Sequence, residues 1–215
     1  MTFVREHLLA TSIAMSVVAL LADSPPAIAQ PSGRPVEASV GVAAMRLSEL
    51  DETNVGIRGA VDVHIARAFA IEGALTWFPS AWNSSTSVLD GQKRLLGFAG
   101  VKAVAVTTSR VELFGRGGVG FLSFASQEGT TPSCPSQIVT TTLACGLAIG
   151  YTAFTTEIGG GASIALDAHG RLRVRVDAAD LLVRYGSVVA RSNGRATDGF
   201  FSHNILTSAS VGWRF

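Results

Sequence analysis

Over long segments of this chain, charged side chains keep to one side of a two-residue alternation. Between 54 and 64, Val55, Ile57, Gly59, Val61 and Val63 share one parity, while Asn54, Arg58, Asp62 and His64 share the other. Successive side chains leave opposite faces of an extended strand, so this pattern specifies a ribbon with one apolar and one polar face. It recurs with Phe69, Ile71, Leu75 and Trp77 against Glu72, with Val111, Leu113, Val119 and Phe121 against Glu112 and Arg116, and with Leu172, Val174 and Val176 against Arg173, Arg175 and Asp177. Along the whole chain the alternation predicts eight strands, at about 36–47, 54–64, 69–78, 93–104, 111–124, 153–166, 171–184 and 203–215. A one-residue slip would turn every charge to the wrong face, so register is strongly specified.

Two all-β architectures satisfy such a pattern. In a soluble sandwich or barrel the apolar face packs inward; in a membrane barrel it faces lipid. The polar parity favours the second. It carries Gly56, Ala60, Ala74, Gly100, Gly118, Gly120, Gly159 and Gly161 between its charges, where a solvent-facing sheet would be rich in Lys, Thr and Gln. Those charges also balance, Arg58, Arg94, Lys102, Arg116, Arg173 and Arg175 against Glu37, Asp62, Glu72, Glu112, Glu157 and Asp177. A narrow lumen requires that balance, because an unpaired buried charge is costly whereas a paired one is tolerated. Composition points the same way: 15% of residues are charged, against about 25% in soluble chains, and the lysines are Lys93 and Lys102 alone. The expectation is an all-β, eight-stranded, antiparallel up-and-down transmembrane β-barrel. Its lumen would hold a charge network of Arg58, Asp62, Glu72, Lys102, Glu112, Arg116, Glu157, Arg173, Arg175 and Asp177, and would be just wide enough for side chains to fill.

The connections alternate in length. Those at about 65–68, 105–110 and 167–170 are short, and those at about 79–92, 125–152 and 185–202 are long, which matches the periplasmic and extracellular ends of such barrels. Three-residue loops are expected at 65–67 and 168–170, with Gly170 left-handed in the second. Arg46, Asp180 and Arg184 fall on the apolar parity; the outer rim, where a charge costs about 0 to 1 kcal/mol, or a bulge near 178–182, would accommodate them. Trp77, Phe78 and Tyr185 at the outer end, with Trp213 and Phe215 at the inner end, are candidate aromatic girdles.

Residues 1–29 have the parts of a secretory signal peptide: Arg5 near the start, an apolar run from Leu8 to Leu21, and small residues at Ala27 and Ala29, with cleavage expected after Ala29. The domain plan is therefore a signal peptide at 1–29 and an outer-membrane barrel at 30–215. The leader takes Arg5, Glu6 and Asp23 with it, leaving 16 basic and 14 acidic groups, a balance that suggests neither polyanion nor acidic-lipid binding and no nucleic-acid partner. With the leader's Ala27-Ile28-Ala29, the eight alternating segments, the inward charge pairs and the closing Val211-Gly212-Trp213-Arg214-Phe215, the chain resembles small bacterial outer-membrane β-barrels of the OmpA, OmpX and opacity-protein type. The resemblance implies localisation in the cell outer membrane. It also implies that Val211, Trp213 and Phe215 form the signal read by the barrel assembly machinery, and that the partners are outer-membrane lipid, that machinery and an unspecified extracellular ligand.

The fold implies a place and leaves the activity open. The expected role is structural, surface-interacting or adhesin-like, carried by the extracellular loops; the alternatives are a narrow, porin-like ion channel and a lipid-modifying enzyme like the lipid A deacylases. Cys134 and Cys145, with ten residues between them in the longest loop of an exported chain, are expected to form a disulfide. No cofactor, metal site or catalytic group is expected. The glycine runs at 115–120 and 159–161 do not lead from a strand into a helix and have no Lys-Ser/Thr pair after them, so they are not phosphate loops. Ser202-His203-Asn204 with Asp198 is the constellation nearest to a hydrolase, but adjacent Ser202 and His203 on a strand face opposite ways.

Overall fold

A computed structural model describes residues 36–83, 92–108, 110–125, 150–186 and 199–215, except the side chains of 80–83. Eight strands run β1 Val36–Leu47, β2 Glu52–Ala66, β3 Phe69–Asn83, β4 Arg94–Thr107, β5 Val111–Phe124, β6 Tyr151–Ala165, β7 Leu172–Tyr185 and β8 Phe200–Arg214. Each pairs antiparallel with its neighbours in sequence, and β8 returns to β1, closing the barrel. The short connections lie at the end where β1 begins and β8 finishes; the long ones lie at the other, the loop end.

The strands are tilted by a definite amount. Stepping from partner to partner, Val36 leads to Val63, Ile71, Val101, Gly117, Ile158, Asp180 and Ile205, and then to Arg46, back on β1 but ten residues further along. With eight strands, that stagger implies a tilt of about 40° and an interior that side chains can fill.

Burial follows parity around the whole circle. Val42, Ile57, Leu75, Val101, Val119, Ile158, Val176 and Val211 are exposed on the outside, while Glu37, Arg58, Glu72, Lys102, Arg116, Glu157, Arg175 and Ser210 are buried inside. The apolar faces therefore look outward and the charges inward, as the glycine-rich polar parity predicted. Gly100 and Gly118 face each other across β4 and β5, and the Phe98 ring packs over both; a Cβ on Gly118 would stand 2.3 Å from the Ala99 carbonyl oxygen. Small lumenal residues thus make room for the ring, above which Arg116 holds its guanidinium 5.5 Å from the ring centre.

Several boundaries differ from the sequence reading. β3 does not stop at Phe78: Val55 pairs Ser80 and Ile57 pairs Trp77, so Phe78 and Pro79 together face Gly56 in a bulge. The bulge lets Pro79, which lacks an N–H, sit inside a strand. The first short hairpin leaves two residues, 67 and 68, instead of three, and a bulge at Ile65 takes up the difference. At the β6–β7 hairpin the turn occupies 167–171, with Gly170 at φ 67°. Asp167 Oδ1 accepts the Leu172 amide at 2.9 Å there. Gly170→Ala is expected to lower the unfolding free energy by about 1 kcal/mol from backbone strain alone, since no atom lies within 4 Å of the new Cβ; a urea titration in lipid checks it. No bulge occurs at 178–182, where both ladders of β7 run unbroken.

Candidate functional site

The lumen has two chemically distinct halves. Nearer the short turns, the expected network residues are gathered into two sets of ion pairs. Glu72 lies at the centre of the first: Arg116 Nη1 donates to its carboxylate at 2.8 Å, Arg175 Nη2 at 2.9 Å, and Arg58 stands 3.5 Å away. Arg175 also reaches Asp62 at 3.3 Å and Asp177 at 3.1 Å, and Lys102 pairs with Asp62. Arg116 extends to Asp177 at 2.8 Å and to Glu157. Phe114 supplies an apolar wall, with Arg175 over its ring at 4.5 Å and Lys102 at 5.3 Å. At the mouth, Arg214 bridges Glu37 at 2.7 Å and Glu112 at 3.1 Å, and Arg173 joins Glu112 at 3.0 Å.

All ten network residues named from sequence therefore face the lumen, in two groups: Arg58, Asp62, Glu72, Lys102, Arg116, Glu157, Arg175 and Asp177 around Glu72, and Glu112 with Arg173 around Arg214. Arg214, absent from the expected network, shares the inward parity of Ser208 and Ser210. Glu52, also absent from it, precedes the expected start of its strand. Arg94 is lumenal but stands apart from the network, near the loop end, held by Glu52 at 2.9 Å and by Asn54.

Nearer the loops the lumen is a packed apolar plug. Met45, Leu47, Phe78, Leu96, Leu122, Phe124, Leu181, Val183, Tyr185, Phe200 and Leu206 form one buried cluster. Phe78 and Tyr185, expected in an aromatic girdle, belong to this plug instead, because both lie on the inward parity of their strands; the Tyr185 ring packs at a tilt against Phe200, with centres 5.1 Å apart. Trp77, Trp213 and Phe215 do face outward. Side chains that are almost wholly buried fill the barrel over this half, and the Arg94–Glu52 pair is enclosed with them.

The outer surface carries a second concentration of polar groups. His203 Nδ1 lies 2.8 Å from Asp180 Oδ2 on the outward face, and Arg46 pairs with Asp51 at 2.5 Å. Ser48 Oγ donates to the His203 carbonyl oxygen at 2.6 Å. Ser202 and Asn204 are buried in the lumen, so the sequence-adjacent triplet is split between the two faces. The signal peptide at 1–29, Asp198, Cys134 and Cys145 with their expected disulfide, and most of each long loop lie outside the described residues.

No family model matches the chain, and no curated protein does. Solved structures do. Neisserial surface protein A aligns with a TM-score of 0.55 at 11% identity, covering 84% of this chain and 96% of its own. The N-terminal β-barrel domain of Pseudomonas aeruginosa OprF aligns at 0.50 with 6% identity, covering 83% and 97%. The attachment invasion locus protein Ail of Yersinia pestis, solved with a heparin analogue, aligns at 0.47 with 17% identity, covering 84% and 97%. The fold is that of the small, eight-stranded bacterial outer-membrane β-barrels.

Proposed function

We propose that the chain spans the bacterial outer membrane as a closed barrel and acts at the cell surface through its loop end, in a structural or adhesin-like role. The apolar outward faces support the membrane placement, because water would leave Val42, Ile57, Leu75, Ile158 and Val176 exposed with no partner. The observation that carries the choice among functions is the plug. A pore needs a continuous polar path, and the described lumen is filled by the Met45–Leu206 cluster over the half nearest the loops. Below it, the lumenal charges among the described residues are matched in ion pairs, which disfavours a fixed net charge that would draw one sign of ion through. A rigid, sealed scaffold with long connections at one end suits recognition by those connections.

The purified barrel in planar bilayers is expected to give no discrete conductance steps. Stepwise currents altered by Arg116→Ala would overturn the closed lumen and favour the channel. Fractionation and heat-modifiable gel mobility test the location directly: recovery as a dissolved periplasmic species would overturn the membrane placement.

A further inference from the structure

On β2 to β6 no ionisable side chain occupies the outward parity of the described strands; all such groups fall on β7, β8 and β1. They are Asp180 and Arg184 on β7, His203 on β8 and Arg46 on β1. Arg184 pairs across the ladder with Phe201, His203 with Leu182, and Arg46 with Ile205, so Arg184 and His203, and His203 and Arg46, are diagonal neighbours. Diagonal neighbours in an antiparallel sheet stand about 8 Å apart.

The stagger of the barrel brings the three to one level. With a rise of about 3.3 Å per residue and a tilt of about 40°, each residue climbs about 2.5 Å along the barrel axis, and each step to the next strand about 3 Å. Relative to Asp180, Arg46 then lies about 6 Å higher, His203 about 8 Å and Arg184 about 10 Å, while Trp213 lies about 17 Å lower. The separation from Trp213 to these three residues is close to the apolar band of such barrels, about 25 Å tall. Arg46, His203 and Arg184 thus form a level arc at the boundary where lipid headgroups begin.

We infer that this arc is a seat for phosphate-bearing, anionic lipid headgroups, specific to the β7–β8–β1 wall. Arg184 has no acidic partner among the described residues and lies over the Phe201 ring at 5.9 Å, which leaves its N–H edge open to a phosphate. Asp180 holds His203 through Nδ1, so the carboxylate does not occupy Nε2. Arg46 keeps one acidic partner, Asp51, both strongly exposed. An acyl chain lying along Val176, Ile205 and Val211 would bring its headgroup to the same arc.

The inference rests on the membrane-spanning reading. The full barrel is reconstituted in phosphatidylcholine nanodiscs with and without phosphatidylglycerol, and retained lipid is counted by native mass spectrometry. Wild type is expected to retain phosphatidylglycerol selectively. Arg46→Gln with Arg184→Gln should weaken that retention about 25-fold, about fivefold for each basic group at a membrane surface, and Arg184→Gln alone about fivefold. Lys93→Gln, which removes an exposed cation at a similar level across the barrel, should leave retention within about twofold, lying beyond a Debye length from the arc. Equal loss in Lys93→Gln, no lipid selectivity in wild type, or a change of oligomeric state in the arc variants would each overturn the seat. Failure to recover the wild-type barrel in membranes would instead overturn the membrane-spanning reading.

Discussion

Replacing Glu72 with leucine is expected to lower the unfolding free energy by about 4 kcal/mol, the largest effect of any single lumenal substitution. Its carboxylate is shared by Arg116 at 2.8 Å, Arg175 at 2.9 Å and Arg58 at 3.5 Å, all within a region where every partner is buried. Without it, three guanidiniums and the Lys102 ammonium must divide Asp62, Glu157 and Asp177 among them, which leaves one buried positive charge in excess. The unfolding midpoint in urea, followed by gel mobility in lipid vesicles, measures the loss. Adding Arg175→Met should recover a substantial part, because removing both members of a buried pair costs far less than removing one. If the double variant is less stable than Glu72→Leu alone, the pairing is not what holds this half of the lumen. For comparison, Arg46→Leu removes an exposed pair and should cost no more than about 1 kcal/mol.

Leu75→Arg is expected to cost about 2 to 4 kcal/mol in a bilayer. Leu75 points outward, is 56% exposed, and lies between the Trp213 level and the polar arc, near the middle of the apolar band. The same substitution separates the two environments that alternation permits. On a barrel surrounded by water, an arginine at so exposed a site would change stability by no more than about 0.5 kcal/mol. A urea midpoint in phosphatidylcholine vesicles that matches wild type would mean that the outward face does not meet hydrocarbon.

Much of the scaffold was readable because each strand carries its own period of two. Val55 to Val63 and Leu172 to Asp177 declare their faces without reference to any other part of the chain. The lumenal charges were readable for the same reason, since parity assigns Glu72 or Arg175 a side before any partner is known. Where the reading failed, a neighbour decided. Pro79 looked like the end of a strand, yet β2 tolerates it by setting Gly56 opposite two residues. Phe78 and Tyr185 look like interface aromatics by their position near strand ends, but their parity turns them inward and the facing strands supply Leu96, Leu122 and Phe200 to pack them. Parity was enough to exclude them from the girdle; the division of the lumen into an ionic half and an apolar half was not legible, because height in the barrel depends on stagger.

Asp180 shows the boundary most clearly. From sequence it was an outward charge in need of a rim or a bulge. The structure provides no bulge and places His203, 23 residues away, against its carboxylate. By itself, then, the sequence determined which side of each ribbon is apolar, how many ribbons there are, and that the inward charges balance. Only the tertiary structure decided which charges meet, where the lumen is sealed, and that Arg46, His203 and Arg184 come to one level. The physical reason is that facing is set within a strand by the two-residue pleat, whereas height and partnership arise from hydrogen-bonded register, and a ten-residue stagger accumulates only when all eight strands close on themselves.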